Sequence, residues 1–373
     1  MKFCFKSIFF LICCASILVS CNTKKEVTLI GKKKSAIKTK NIILLVGDGM
    51  GLSQVSASQF YHNSKSNFER FPVIGLIKTS SASELITDSA SSSTAFASGI
   101  KTYNGALGVN TDTLAVKNIV EEVSNIGIST GIISTSSITH ATPAAFYTHT
   151  KKRSMAEDIA SQLVNSEIDF FAGGGSDYFN NRDDNRDLIL ELEEKNFIIN
   201  LNSLPTEMKI DFSKKQGYLL APKGLPKMLE GRGTFLSDAT TLALEYLSNN
   251  ENGFFLMIEG AQIDWGGHDN DADYLISELI DFDNTIGAVL DFAESNKETL
   301  VIVTADHETG GFTLGQDNGN YNKIKPVFST TGHSATMVPV FASGPGAGLF
   351  GSIYENTAIY DKMKFLFFKN NKN

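Results

Sequence analysis

The stretch NIILLVGDG (residues 41–49) predicts the first element of the fold. It is apolar without alternation, which is typical of a strand covered on both faces. Similar runs recur at residues 75–80, 130–136, 169–175, 254–260, 299–307 and 337–344. Helical stretches lie between the runs, at 114–125, 154–165, 235–249 and 272–294. This alternation predicts an α/β fold, with a central, mostly parallel sheet and helices on both sides.

Metal-competent side chains follow four of the predicted strands: Asp48; Glu259; Asp306 with His307; and, after a short loop, His140 with Thr142. One acidic residue after a strand is unremarkable, because such residues often cap the next helix. Four strands that end this way are hard to explain by capping alone. Since ligands of open α/β sheets bind at the carboxyl ends of the strands, we expect these groups to share one edge.

The segment EGAQIDWGGHDND (259–271) adds two more candidate ligands, Asp264 and His268. Their spacing of four residues would place both on one helical face. Gly266 and Gly267 argue against a regular helix here, so a tight turn is the alternative. Three of the six histidines lie beside glycine, an acid or a strand end and are candidate ligands: His268, His307 and His333. His62 is interpreted as structural.

Charge and cysteine content narrow the function classes. The net charge is −8, and residues 1–40 carry nine Lys and one Glu, so the remaining residues are strongly acidic. An acidic body excludes the electrostatic footprint of nucleic-acid binding. The four cysteines all lie within the first 21 residues. Any metal in the body is therefore expected on His, carboxylate and hydroxyl groups.

The N-terminus predicts export. Residues 1–20 combine Lys2 and Lys6 with a short apolar run, which is typical of a signal peptide. LVSC (18–21) resembles a bacterial lipobox, in which Cys21 would be acylated and would anchor the chain to a membrane. The alternative is an ordinary signal peptide with an incidental cysteine. We expect a lipoprotein of the bacterial cell envelope, periplasmic or on the outer membrane.

The remaining chain is predicted to be one catalytic domain behind a tether. Residues 21–40 form a polar, lysine-rich tether, and residues 41–373 form the domain. Residues 176–236 are rich in Asn, Asp, Lys and Glu, with a predicted helix at 186–195. We interpret this segment as a surface excursion.

Six blocks, in order, resemble those of the alkaline phosphatases, which are metal-dependent phosphomonoesterases. They are NIILLVGDGMG (41–51), TDSASSSTAFASGIKTYNGALGV (87–109), HATPAAFYTHTKKR (140–153), IEGAQIDWGGH (258–268), VTADHETGG (303–311) and GHSATMVPVFASGPGA (332–347). The resemblance covers nearly the whole body. It implies a three-layer αβα sandwich around a mostly parallel sheet, and phosphate monoesters as substrates.

The resemblance also implies a set of site residues. It assigns one Zn²⁺ to Asp264, His268 and His333, a second Zn²⁺ to Asp48, Asp306 and His307, and one Mg²⁺ to Asp48, Thr142 and Glu259. Ser89 matches the nucleophile, directly after Asp88, and Arg153 matches the arginine that holds the substrate phosphate. His149 is expected to order the surroundings of Arg153.

Two positions depart from the best-known bacterial form, which has an acid in place of His140 and a lysine in place of Trp265. The identity of the third cation therefore stays open. Trp265 either packs over the site or fills the core.

The resemblance interprets the serine-rich stretch ITDSASSSTAFASG (86–99) as a nucleophile at a helix N-terminus, with Gly99 ending the helix. The smaller residues after Ser89 would let this helix lie close to the sheet. Two alternatives remain: a related hydrolase acting on phosphodiesters, nucleotides or sulfate esters, and an inactive phosphate-binding lipoprotein. The family is often dimeric, but the sequence shows no self-complementary patch.

Overall fold

The computed structural model describes residues 38–205 and 210–370. The predicted signal peptide (1–20), Cys21 and most of the lysine-rich tether lie outside the described residues. Within the described ranges, none of the helices combines the length and the apolar character needed to cross a membrane.

The strands found in the described residues are numbered in chain order: β1 (Asn41–Gly47), β2 (Val73–Lys78), β3 (Ser129–Ser137), β4 (Phe170–Gly174), β5 (Phe197–Asn200), β6 (Lys215–Leu219), β7 (Phe254–Gly260), β8 (Thr299–Thr304), β9 (Glu308–Thr309), β10 (Thr313–Asp317), β11 (Asn320–Val327), β12 (His333–Ser334), β13 (Val338–Ser343) and β14 (Ser352–Glu355).

The α-helices of the same residues are α1 (Leu52–Tyr61), α2 (Ser89–Ser98), α3 (Ile119–Ser124), α4 (Ala141–Ala144), α5 (Ala156–Leu163), α6 (Asp177–Asn180), α7 (Leu188–Glu194), α8 (Phe235–Leu247), α9 (Gln262–His268), α10 (Ala272–Asn296) and α11 (Ala358–Asn370). Short 3₁₀ turns occur at Asn67–Arg70, Met228–Glu230 and Ala347–Phe350.

Ten strands form one sheet in the order β14-β2-β13-β8-β1-β7-β3-β4-β6-β5. Strand β1 pairs in parallel with β7 and β8, and β3 pairs in parallel with β7 and β4. Among the described strands of this sheet, β13 alone runs antiparallel to its neighbours, β2 and β8. The sheet is thus mostly parallel and flanked by helices, which confirms the predicted fold class.

The centre of the sheet is buried along its whole length. Strands β1, β7 and β8 are buried at every position. Burial on both faces explains why these segments read as continuous apolar runs rather than alternating ones.

Helix α2 lies inside the molecule, as its small side chains allow. All ten of its residues are buried. Asp88 caps its N-terminus by accepting a hydrogen bond from the backbone N–H of Ser91. Gly99 ends it with a φ of 70°, in the left-handed region that favours glycine, so the predicted end of this helix is confirmed.

The segment 259–271 contains the helix α9 rather than the alternative tight turn, and α9 includes both glycines. A Cβ on Gly266 would lie 2.6 Å from the backbone N of Leu275, and one on Gly267 would lie 3.0 Å from the Thr309 side chain. The glycines therefore allow α9 to approach α10 and β9 closely, which offsets their low helix propensity.

The segment 176–236 does more than run over the surface. It contributes α6, α7 and the two strands β5 and β6, which extend the sheet beyond β4. Its later part returns to the middle of the molecule, where the Leu225 N–H donates to the Thr135 carbonyl at 3.2 Å.

Candidate functional site

The predicted ligands meet at one edge of the sheet because their strands are neighbours there. Strands β8, β1, β7 and β3 are adjacent in the sheet. Asp306 and His307 follow β8, Asp48 follows β1, Glu259 lies in β7, and His140 follows β3. The predicted convergence at the carboxyl ends of the strands is confirmed.

Asp264, His268 and His333 form one cluster whose ligand atoms lie within 4.8 Å of one another. The His268 Nε2 is 3.3 Å from the Asp264 Oδ2, and the two Nε2 atoms of His268 and His333 are 3.2 Å apart. Asp264 and His268 come from one face of α9, and His333 comes from β12. Such a set of two imidazoles and one carboxylate matches a site for a transition-metal ion such as Zn²⁺.

A second cluster, within the same 4.8 Å limit, consists of Asp48, Asp306 and His307, all fully buried. The His307 Nε2 lies 3.4 Å from the Asp48 Oδ1 and 3.1 Å from the Asp306 Oδ2. The rings of His307 and His333 stack with centroids 3.5 Å apart, so this cluster adjoins the first.

Asp48 also belongs to a third cluster, with His140 and Glu259. Thr142 lies in α4, two residues after His140, and the Thr142 Oγ1 is buried without a hydrogen-bond partner. Asp48 is therefore common to two clusters, as the resemblance implies for a bridging ligand. The structure places His140 in the third cluster, which the resemblance did not.

Each of the three ligand histidines of the first two clusters has its Nδ1 occupied by an oxygen. The Nδ1–H of His268 donates to the Thr331 carbonyl at 2.6 Å, and that of His333 donates to the Thr87 carbonyl at 2.9 Å. The His307 Nδ1 lies 3.1 Å from the Thr309 Oγ1. In the neutral form of each ring these bonds place the proton on Nδ1, so that Nε2, the atom that faces the carboxylates, can bind a metal ion.

Buried oxygen atoms without hydrogen bonds show that the clusters fit cations. These atoms are Asp48 Oδ1 and Oδ2, Asp306 Oδ2, Glu259 Oε1 and Thr142 Oγ1. A buried carboxylate without a donor is costly unless a charge compensates it. Metal ions at the three clusters would supply that charge.

The electrostatics of the carboxylates agree with this interpretation. Burial raises the pKa of Asp48, and the nearby Asp306 carboxylate adds to the effect. Burial also raises the pKa of Glu259 to about 7, although a hydrogen bond from Ser134 acts to lower this pKa. The mutual repulsion of these groups is the condition that a divalent cation relieves.

The histidines differ in charge. The hydrogen bond with Asp264 raises the pKa of His268 to about 9, so a metal ion at this cluster would displace a proton. Burial and the adjacent Arg153 lower the pKa of His140 to about 3, so His140 is neutral at physiological pH.

Ser89 lies beside the second cluster at the first position of α2. Its Oγ is 3.3 Å from the His307 Nε2 and 3.4 Å from the Arg153 Nη1. The same Arg153 Nη1 donates to the Asp88 Oδ2 at 3.1 Å, and its Nη2 is 3.3 Å from the His140 Nε2. Since Asp88 also accepts from the Gly105 N–H at 3.0 Å, the Asp88 carboxylate is fixed and holds the guanidinium beside Ser89.

Two further predicted residues lie around the site in different ways. The Trp265 ring meets the His140 ring edge-on, with centroids 6.0 Å apart, so Trp265 is part of the wall beside the third cluster. The His149 ring bonds to the Gly108 carbonyl at 2.7 Å and to Glu121 at 3.0 Å, and not to Arg153. His149 instead lines a separate cleft of about 530 Å³ between α3 and α5.

Residues that the sequence reasoning missed support the ligands from behind. Thr309 donates from Oγ1 to the Asp264 Oδ1 at 2.5 Å and therefore accepts from the His307 Nδ1–H. Ser134 and Ser136 of β3 both donate to the Glu259 Oε2. Thr309 stands two residues after His307, and the serines alternate on one face of a strand, which are signals that the sequence did contain.

Comparison with known proteins identifies the family. A sequence model of the family described as alkaline phosphatase matches residues 39–328. Alkaline phosphatase 3 of Bacillus subtilis (strain 168) is 39% identical over 308 residues, which are 78% of this chain and 65% of that protein. The chain thus spans just under two thirds of the length of this relative.

Solved structures are also similar. The alkaline phosphatase of the Antarctic bacterium TAB5 is 51% identical, with a TM-score of 0.86, covering 89% of this chain and 98% of that chain. A variant of that enzyme with one histidine replaced by aspartate is 50% identical, with a TM-score of 0.85 and coverages of 89% and 99%. Its structure has Mg bound in a site named M3.

The bridging hydroxyl of Thr309 generates a prediction about metal affinity. Thr309→Val keeps the volume but leaves the Asp264 Oδ1 without its donor and the His307 Nδ1–H without its acceptor. We expect Zn²⁺ to bind about 10- to 100-fold more weakly, the usual cost of losing such a partner. Competition with a chromophoric chelator measures this affinity.

Thr309→Ser is the matched control, because it retains the hydroxyl, and it should bind Zn²⁺ nearly as the parent does. Equal affinities for the valine and serine variants would show that the hydroxyl does not support the ligands.

Proposed function

This chain belongs to the alkaline phosphatase family, and we propose on that premise that it hydrolyses phosphate monoesters to an alcohol and inorganic phosphate. One observation carries the proposal: the Ser89 Oγ lies between the Arg153 guanidinium and the buried Asp48/Asp306/His307 cluster. A nucleophile, an anion clamp and a cation site are thereby brought to one point.

The donor atoms suggest which ions the clusters hold. Imidazole and carboxylate ligands suit Zn²⁺, so we assign Zn²⁺ to Asp264/His268/His333 and to Asp48/Asp306/His307. At the third cluster, the oxygens of Asp48 and Glu259, together with the nearby Thr142 hydroxyl, are hard ligands that suit Mg²⁺, and His140 lies beside them. When bound, the ions would lower the proton affinity of the Ser89 hydroxyl and stabilise charge on the entering and leaving oxygens.

The fold prepares Ser89 for attack on phosphorus. Ser89 is the first residue of a ten-residue helix, whose N-terminus favours a phosphate group through its dipole and free N–H groups. Its side chain is buried among groups that are themselves fixed by hydrogen bonds. The Oγ therefore needs little reorganisation to reach a phosphate held at this point.

Arg153 holds and orients the phosphate. Its planar guanidinium can bind two phosphate oxygens together, and the bond to Asp88 keeps the plane in place. A monoester offers both oxygens unsubstituted, whereas a diester has one of them esterified. This geometry favours monoesters over diesters.

We infer a reaction in two displacements. The Ser89 Oγ loses its proton and forms a bond to phosphorus as the bond to the leaving alkoxide breaks, and the alkoxide takes up a proton and departs as the alcohol. Water then loses a proton and displaces Ser89 from phosphorus, which releases inorganic phosphate and returns a proton to the Ser89 Oγ. The open side of the site, where His268 is exposed, leaves room for varied leaving groups, which fits a role in phosphate scavenging.

A comparison of two substrates distinguishes the monoesterase from a related phosphodiesterase. We expect an aryl phosphate monoester to be hydrolysed well and the matching diester poorly, because of the Arg153 clamp. Removing metal with a chelator should abolish turnover, and adding Zn²⁺ should restore it. A preference for the diester would point to the phosphodiesterase class, and inactivity with metal bound would point to a phosphate-binding protein.

A further prediction concerns the nucleophile. Ser89→Ala removes the attacking oxygen and should lower kcat on the order of 10⁴-fold or more, while phosphate binding, measured by calorimetry, persists. Ser93→Ala is a matched control, because Ser93 is a buried serine of the same helix whose Oγ has no hydrogen-bond partner. Turnover by the Ser89→Ala protein at the level of the Ser93→Ala protein would exclude Ser89 from the mechanism.

Another prediction concerns the charge of His140. Because His140 is neutral, the third cluster carries only the charges of Asp48 and Glu259. His140→Asp adds a negative charge, so we expect Mg²⁺ to bind about tenfold more tightly in equilibrium dialysis. In the TAB5 enzyme, a variant with aspartate in place of one histidine has Mg bound.

The matched control is His140→Asn, which is similar in size to aspartate but uncharged. Since the new carboxylate would also attract Arg153, phosphate affinity should fall in the aspartate variant only. Equal Mg²⁺ affinity in both variants would mean that charge at this position does not set the affinity of the third site.

A further inference from the structure

A buried charge cluster that the proposed reaction does not use fastens residues 222–232 to α10. The Arg232 Nη1 donates to the Glu278 Oε1 at 3.2 Å, and its Nη2 donates to the Glu278 Oε2 and to the Asp281 Oδ2, the latter at 2.9 Å. The three side chains are only 2%, 2% and 6% exposed. Burying three charges is expensive, so the contact must hold a definite geometry to persist.

The same contact also binds the backbone of the segment. The Glu278 Oε1 accepts from the Met228 N–H at 2.9 Å, and the Arg232 Nη1 donates to the Pro226 carbonyl at 3.2 Å. The Lys227 ammonium lies 4.0 Å from the centroid of the Tyr274 ring. These contacts fix the part of the segment that follows Gly224.

At Leu225 the segment is joined to the elements of the site itself. The Gln262 Nε2 of α9 donates to the Leu225 carbonyl at 2.8 Å and to the Thr135 carbonyl at 3.0 Å. The Tyr274 hydroxyl donates to the Gln262 Oε1 at 2.7 Å. Strand β3, α9 and α10 are thus linked through one buried amide, directly beside Gly224.

Gly224 packs against the Trp265 ring, which lies beside the third cluster. A Cβ at this position would lie 2.8 Å from the Cη2 and 3.3 Å from the Cζ3 of Trp265. Gly224 does not have a left-handed φ, so the Trp265 ring, rather than the backbone, excludes a side chain here. The Trp265 ring in turn meets His140, which contacts Arg153.

We propose that residues 222–232 form a positioning wall for the third cation site: Gly224 sets the position of Trp265, Trp265 sets that of His140, and the Arg232–Glu278–Asp281 cluster holds the wall in place. The inference rests on the proposed function and deepens it. It makes Gly224 and Arg232 positioning residues for cation affinity and for the orientation of Arg153, although neither belongs to the ligand set.

Gly224→Ala tests the wall directly, because the added methyl group must displace the Trp265 ring. Trp265 is the only tryptophan of the chain, so its fluorescence reports this displacement without interference. We expect a shifted emission maximum and Mg²⁺ affinity at the third site changed by about tenfold. Gly348→Ala is the matched control, because nothing lies within 4 Å of a Cβ there and its φ is not left-handed.

The measurements are made in a Ser89→Ala background, by fluorescence and by equilibrium dialysis with Mg²⁺, and so need no turnover. A negative result for the positioning wall can therefore be told apart from a negative result for the proposed reaction. The reaction is tested by the turnover of the Ser89→Ala protein that carries no other substitution. Emission and Mg²⁺ affinity of Gly224→Ala equal to those of Gly348→Ala would overturn the proposal.

Arg232→Lys tests the Arg232–Glu278–Asp281 cluster separately. It keeps the compensating charge, so that the protein folds, but loses the planar fork that joins Glu278 and Asp281. We expect Trp265 emission and Mg²⁺ affinity to change in the same direction as in Gly224→Ala, by a smaller factor. The fold of the variant is checked by circular dichroism. A folded Arg232→Lys protein with the parental Trp265 emission and the parental Mg²⁺ affinity would overturn the role of the Arg232–Glu278–Asp281 cluster.

Discussion

The site depends on one electrostatic constraint, the burial of Asp48 with both carboxylate oxygens lacking a hydrogen-bond donor. A lone carboxylate would be neutralised or expelled from such a position. Here Asp306, Glu259 and Asp264 lie close enough to raise its pKa further. The arrangement is stable as charged groups only with cations among them, and the central place of Asp48 makes it common to two of the three clusters.

The remaining contacts leave the carboxylates open while fixing everything around them. Carbonyl or hydroxyl oxygens occupy the Nδ1 atoms of His268, His307 and His333, which turns each Nε2 towards the clusters. Asp88 restrains Arg153 in the same way. These groups are hydrogen-bonded on the side away from the clusters, whereas the carboxylate oxygens that face the clusters lack donors. This asymmetry distinguishes a ligand site from an ordinary buried polar network.

The sequence predicted the parts of the site that follow from topology. Apolar runs ending in Asp48, Glu259 and Asp306 must meet at one edge if the strands are parallel neighbours, and they do. The glycines of α9 misled the prediction, because propensity is local whereas their reason, close approach to Leu275 and Thr309, is tertiary. Thr309 was missed for a similar cause: its hydroxyl gains a role only when Asp264, 45 residues earlier in the chain, lies against it.

The segment 176–236 shows why such contacts escape prediction. Its composition is that of a surface loop, yet Leu225 and Gly224 reach β3 and Trp265. Composition averages over residues that face solvent, such as Lys223 and Leu229, and the two that face the site. A chain can therefore alter the surroundings of its cation sites through such a segment while every ligand at the strand ends stays the same. The order of the strands places the ligands, and the segments that connect the strands place the residues around them.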